Sequence, residues 1–183
     1  MTSGLLLIDL QNDYFPGGRM ALVGIQEAAA NAHRLLNRYR ERQWPVIHVQ
    51  HLAVRPGAGF FLPETEGAAI HALLAPRAGE DVVQKHFPNA FRATPLRDLL
   101  EQKSVPRLVM CGAMSHMCID ATARAAFDLG FDCTVAEDAC ATRDLSFGGR
   151  TIPAADVHGA FMAALSSPYA RVVSTRVILD EAA

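Results

Sequence analysis

The chain has 183 residues, a formal net charge of −2, half of its residues hydrophobic and a fifth charged. That balance predicts one soluble domain over residues 1–183, with a core that needs neither disulfide nor metal. Its Lys and Arg are scattered, which offers nucleic acid or an anionic membrane surface no footprint. The apolar runs are too short to span a bilayer and no basic n-region precedes the first of them, so a cytoplasmic protein is expected.

Gly4–Asp9 is a continuous apolar run ending in a carboxylate, the pattern of a central parallel strand buried on both faces. After a loop at Phe15–Gly18, residues from about Gln26 to Arg42 carry Ala29, Ala32, Leu35, Leu36 and Tyr39 on one helical stripe. Pro45–Gln50 predicts a second strand. His51 to Pro63 holds two prolines and two glycines and reads as a long surface loop, with Phe60 and Phe61 exposed for a lid or an interface. Val82–Lys85 is a third strand, and Pro95–Lys103 a helix entered from Thr94 as N-cap.

Arg107–Cys111 follows as the fourth strand, Ile119–Leu129 as a helix closed by Gly130, and Asp132–Ala136 as the fifth strand. A glycine-rich loop at Leu145–Pro153 leads to a helix over Pro153–Ser166 and a last strand at Ala170–Ser174. Strands alternating with helices imply crossover connections and an open parallel sheet covered on both faces. Cys111 and Cys133 fall inside strands and read as reduced structural thiols, whereas Cys140, after VAEDA, is open to either reading. No cysteine forms a C-x-x-C pair or a zinc-knuckle spacing, and no disulfide is expected.

In open sheets of this kind, sites form beyond the carboxyl ends of the strands. Asp9, Lys85 and the turn Gly112–Cys118 each follow a strand directly. Cys118 stands where unpaired amides and the helix dipole favour a thiolate. Lys85 would supply positive charge and Asp9 a general base. Each residue alone has a plainer reading: a turn former, a solvated lysine, a small buried hydrophobe. Their coincidence after separate strands favours a thiol hydrolase.

The segments DLQNDYF, KHFPNAFRATPL, CGAMSHMCIDATARAAFDLGF and VAEDACAT together resemble the isochorismatase-like cysteine hydrolases, from Leu5 to about Leu165. That superfamily includes nicotinamidases, N-carbamoylsarcosine amidase, ureidoacrylate-type amidohydrolases and isochorismatase itself. The resemblance implies an α/β fold, a three-layer α/β/α sandwich with a central, mainly parallel Rossmann-like sheet. It implies a catalytic triad of Asp9, Lys85 and Cys118. It also implies a non-proline cis peptide at Ala113–Met114 that aims the Met114 amide, with that of Cys118, into an oxyanion hole. Pocket positions map onto Tyr14, Phe91 and Met117, a lining suited to a compact, weakly charged amide, and Gln11 maps onto a residue that buttresses the Asp–Lys pair. Relatives are usually dimers or larger assemblies, so the resemblance implies a homo-oligomer acting on a small-molecule substrate.

The departures narrow the reading. Nicotinamidases carry an Asp-Trp-His metal motif after the second strand, where this chain has His48-Val49-Gln50-His51-Leu52. His48 and His51 would point to opposite faces of a strand and not share an ion. No metal and no cofactor is therefore expected, and nicotinamidase activity is disfavoured. His48 is expected to pack within the sheet, His116 to line the pocket or bond the turn, with the turn favoured, and His158 to serve packing or an interface. His51 and Arg150 stay open. The leading reading is hydrolysis of a C–N bond in a small amide, carbamoyl compound or lactam through a thioester on Cys118. The alternatives are isochorismatase-type vinyl-ether hydrolysis, against which Cys118 argues, and a catalytically idle binding or assembly relative.

Overall fold

A computed structural model describes residues 3–181 of the chain, so residues 1–2 and 182–183 of the expected domain lie outside it. In chain order the elements are β1 (Ser3–Ile8), α1 (Ile25–Glu41), β2 (Val46–His51), β3 (Asp81–Lys85), α2 (Leu96–Gln102) and β4 (Arg107–Ala113). A π-helical turn, Ser115–Ile119, then leads into α3 (Asp120–Asp128). β5 (Asp132–Ala141), β6 (Leu145–Phe147), β7 (Arg150–Ile152), α4 (Ala154–Leu165), β8 (Arg171–Val173) and α5 (Thr175–Glu181) follow.

Six strands form one sheet in the order β3-β2-β1-β4-β5-β8, and every neighbouring pair is parallel. Alternation along β1 shows how the layers arise: Leu5 and Leu7 face a core completed by α1 and by Ile178 of α5. Leu6 and Ile8 face a second core built with Leu96 and Leu100 of α2, Ala123 of α3 and Leu165 of α4. A strand buried on both faces has to be apolar at every position, which is why Gly4–Ile8 shows no polar side chain. The result is the expected three-layer α/β/α sandwich. Strand order reverses between β1 and β4, so the crevice beyond their carboxyl ends is the natural place for a site.

Several expectations are corrected. β4 runs on to Ala113 and β5 to Ala141, because a register shift near Met110–Gly112 lets Cys140 pair with Gly112 and Ala141 with Ala113. Cys140 is thus a buried strand residue, and all four cysteines are free. The glycine-rich stretch at Leu145–Pro153 holds an antiparallel hairpin, β6–β7, turning through Gly148 and Gly149. Thr94 is not the N-cap of α2. Pro95 holds that position, and the Thr94 hydroxyl accepts the Leu96 N–H at 3.3 Å. Gly130 does close α3 with a left-handed backbone, φ 89°. Among the described residues no helix is long and apolar enough to cross a membrane.

Candidate active site

Three strand ends build the site. Asp9 follows β1 with a left-handed backbone (φ 54°), its amide held by the Val49 carbonyl at 2.9 Å. Lys85 ends β3 in register with His51, the last residue of β2. β2 lies between β3 and β1, so the lysine chain crosses the end of β2 to reach Asp9. Cys118 sits in the π-helical turn after β4, beyond a cis peptide between Ala113 and Met114.

These segments converge on one ammonium. Lys85 Nζ lies 2.7 Å from Asp9 Oδ2, 3.2 Å from Cys118 Sγ and 3.0 Å from His51 Nδ1. Asp9 and Lys85 are fully buried and Cys118 is 2 % exposed. Asp9 Oδ1 is buried with no hydrogen-bond partner among the described residues. Isolated buried charges are expensive, so this pair persists because each charge answers the other.

Burial opposes the charge on Lys85, but Asp9 and Cys118 together raise its pKa, and it stays an ammonium. For Cys118 the balance of neighbours runs against the expected thiolate. Burial and then the Asp9 carboxylate push its pKa up, and the pull of Lys85 does not outweigh them. The thiol form of Cys118 is thereby favoured, and a neighbouring base is needed to take its proton. Burial and the neighbouring ammonium push His51 down to about 4, so its ring is neutral near pH 7.

Above the thiol opens a cavity of 560 Å³ whose walls include Tyr14, Met20, Phe60, Phe61, Phe87, Met114 and Met117, with His51, His86, Arg55 and Arg143. Tyr14 and Met117 line this cavity, whereas Phe91 does not. It stacks on Phe131 (centroids 5.8 Å apart), both half-buried against the second core, and Phe87 takes the wall instead. Phe61 is buried, not exposed: its amide donates to Asp13 Oδ2 at 2.7 Å and its ring lies 4.5 Å from that of Tyr14. Burial and Asp9 raise the Tyr14 pKa well above the usual phenol value, so this wall is a neutral phenol.

Gln11 touches neither Asp9 nor Lys85. Its amide brackets the His51 backbone, donating to the carbonyl at 2.9 Å and accepting the N–H at 2.8 Å, and so supports the pair one step removed. His48, on the other face of β2, is buried against Glu80 at 2.9 Å. His116 bonds Thr142 Oγ1 at 2.6 Å and not its own turn, while His158 reaches from α4 to Ser115 Oγ at 2.8 Å and pins the start of the nucleophile turn. Arg150 is exposed on β7, away from the cavity.

Asp9, His51 and Cys118 present donor atoms within 4.8 Å of one another, a spacing that suits a metal ion. Lys85 Nζ is already bonded to all three. The place a cation would take is held by the protein's own ammonium, so the set does not fit a metal. Met20, Arg55, His86, Phe87 and Arg143 are wall residues that the sequence does not single out. His51 was assigned to a loop, and Arg143 lies just beyond a strand that runs five residues longer than its apolar pattern suggests.

The isochorismatase domain model matches residues 3–176. The isochorismatase family protein YddQ of Bacillus subtilis is 50% identical over 98% of this chain and 99% of its own length. Maleamate amidohydrolase of Pseudomonas putida is 31% identical over 97% of this chain and 85% of its own. The crystal structure of an isochorismatase from Pseudomonas putida KT2440 superposes with a TM-score of 0.90 at 40% identity, covering 96% of this chain and 89% of that one.

Proposed function

This chain belongs to the isochorismatase family, and from that premise we propose that it is a hydrolase that cleaves the C–N bond of a small amide through a thioester on Cys118. The observation that carries the reading is Lys85 Nζ bridging Asp9 and Cys118 at the floor of the cavity. Its similarity to a maleamate amidohydrolase lends support to an amide as substrate.

The proposed steps use only these groups. Asp9, through its unpartnered Oδ1, accepts the thiol proton as sulfur attacks the amide carbon. Lys85 keeps its charge beside the forming thiolate and the carboxylate. The amides of Met114 and Cys118, at the start of a helix, face the oxyanion as it develops. The C–N bond breaks as Asp9 returns the proton to nitrogen, leaving the acyl group on sulfur. Water then attacks the thioester, giving its proton to Asp9, and the acid departs as the thiol is restored.

Cavity size favours a compact acyl group. Its walls carry Arg55 and Arg143, and no acidic residue is among those that line it. A substrate bearing an anionic group thus fits the walls better than the weakly charged amide suggested by the sequence alone. Ammonia or amine release from a panel of small acidic and neutral amides tests the reading. Turnover is expected in the wild type and lost in Cys118→Ala, whereas turnover that survives in the variant sinks the thioester route.

A further inference from the structure

The ammonium of Lys85 has three N–H groups, and three acceptors surround it: Asp9 Oδ2, Cys118 Sγ and His51 Nδ1. An ammonium accepts nothing, so His51 Nδ1 has to carry a lone pair. Burial and the adjacent positive charge keep the ring neutral, with a pKa near 4, and its one proton therefore resides on Nε2. This tautomer is fixed by the neighbours of the ring, not by a free choice of the imidazole.

The ring is also held in place. Gln11 takes both polar groups of the His51 backbone, and Phe61 stands at 5.9 Å on the cavity side. His51 lines the cavity, and among the described residues its Nε2 has no hydrogen-bond partner, its only side-chain bond being the one at Nδ1. A fixed N–H donor thus belongs to the cavity wall beside the thiol, on a ring with a nitrogen within 4.8 Å of Sγ.

We propose that His51 is a substrate-binding residue whose Nε2–H donates to an acceptor atom of the substrate other than the oxygen of the scissile carbonyl. The inference rests on the amide-hydrolase reading of the same cavity and adds to it a requirement on the substrate: an oxygen or ring nitrogen with a lone pair on the β2 side of the reacting carbon. An analogue with a C–H or N–H at that point leaves the donor unpaired and is rejected, as sites built around a hydrogen bond reject partners that lack it.

Two measurements decide it. In histidine-selective ¹⁵N NMR of the wild type, His51 is expected to show a bare Nδ1 and a protonated Nε2 from about pH 5.5 to 8. A proton on Nδ1, or titration near the ordinary histidine value of about 6.5, overturns the proposal. This readout needs no turnover, so it stands even if the amide panel gives none. The second compares His51→Asn with His51→Gln on the amides that the wild type hydrolyses. Asparagine retains an acceptor near Nδ1 and nothing at Nε2, whereas glutamine places its amide near Nε2. KM is expected to rise about tenfold in His51→Asn, the loss of roughly one hydrogen bond, and to recover in His51→Gln. Equal loss of kcat in both variants at unchanged KM would mean that His51 only props Lys85, and the proposal fails.

Discussion

Asp9 divides its carboxylate unequally: Oδ2 lies 2.7 Å from Lys85 Nζ, whereas Oδ1, equally buried, has no partner among the described residues. One oxygen anchors the ammonium and the other is left to move a proton. Asp9→Asn preserves shape but removes the base and leaves Lys85 without a counter-charge. kcat is expected to fall by about 10³-fold, within the usual range for loss of a general base. Stability should drop by about 3–5 kcal/mol, as for breaking a buried ion pair. Turnover and urea unfolding of the same preparation check both. An asparagine variant with undiminished kcat would remove Asp9 from the mechanism.

Gly112 passes over the backbone of Ile8 so closely that a β-carbon there would run into the Ile8 carbonyl, and its φ of 129° is one that side chains rarely adopt. Asp9 follows Ile8 in the chain, and Met114 comes two residues after Gly112. Gly112→Ala must push β1 and β4 apart where they carry the site. The expected cost is on the order of 3 kcal/mol, accompanied by loss of turnover. An alanine variant as stable as the wild type would contradict the close approach.

Asp9 was legible because it directly follows a fully apolar run, and buried central strands announce themselves that way. Lys85, by contrast, ends the edge strand β3, and Cys118 lies in the turn beyond β4. His51 was hidden by one residue. Its strand reads as ending at Gln50 but extends to His51, which places it in register with Lys85. Arg143 was hidden by the irregular pairing of β4 and β5, since a register shift leaves no trace in hydrophobic periodicity. Phe91 was misplaced because its partner, Phe131, is far along the chain, and nothing local distinguishes a core aromatic from a wall aromatic. The short helix α5 gives the core Ile178 and, partly buried, Leu179, too few positions for periodicity to reveal.

Glu80 provides a pH test away from the site. Burial works against its charge, but Arg40, the Arg77 amide and His48 outweigh it and hold its pKa at about 2. Its folded pKa is depressed, so its contribution is complete above the unfolded value of about 4.5 and fades as pH falls toward 2. Burial likewise lowers the pKa of His48, and protonation of the unfolded chain adds to the loss of stability below about pH 6.5. Wild-type stability should therefore fall on acidification through both windows. Glu80→Gln should be less stable at neutral pH by about 2 kcal/mol and lose less between about pH 4.5 and 2. Parallel curves for the two proteins below pH 4.5 would show that Glu80 is not the group responsible.

Arg143 is a half-buried cation on the cavity wall, and its Nε is buried with no hydrogen-bond partner among the described residues. A buried donor left without an acceptor costs free energy that a ligand anion recovers on binding. For an amide that carries a free carboxylate and its methyl ester, the ratio of kcat/KM values isolates that gain from size and shape. A hydrogen bond to a charged group is worth about 1.5–3 kcal/mol, so the wild type should prefer the acid by roughly ten- to a hundredfold. Arg143→Met retains an unbranched apolar chain against the same wall and removes the donor and the charge. The preference should then collapse to that supplied by Arg55 alone, mostly through a higher KM for the acid. Raising ionic strength should erode little of the wild-type preference, because a pair shielded from water is weakly screened. If the variant retains the full ratio, the carboxylate is held elsewhere in the cavity, and the positive wall around Arg143 does not select the substrate.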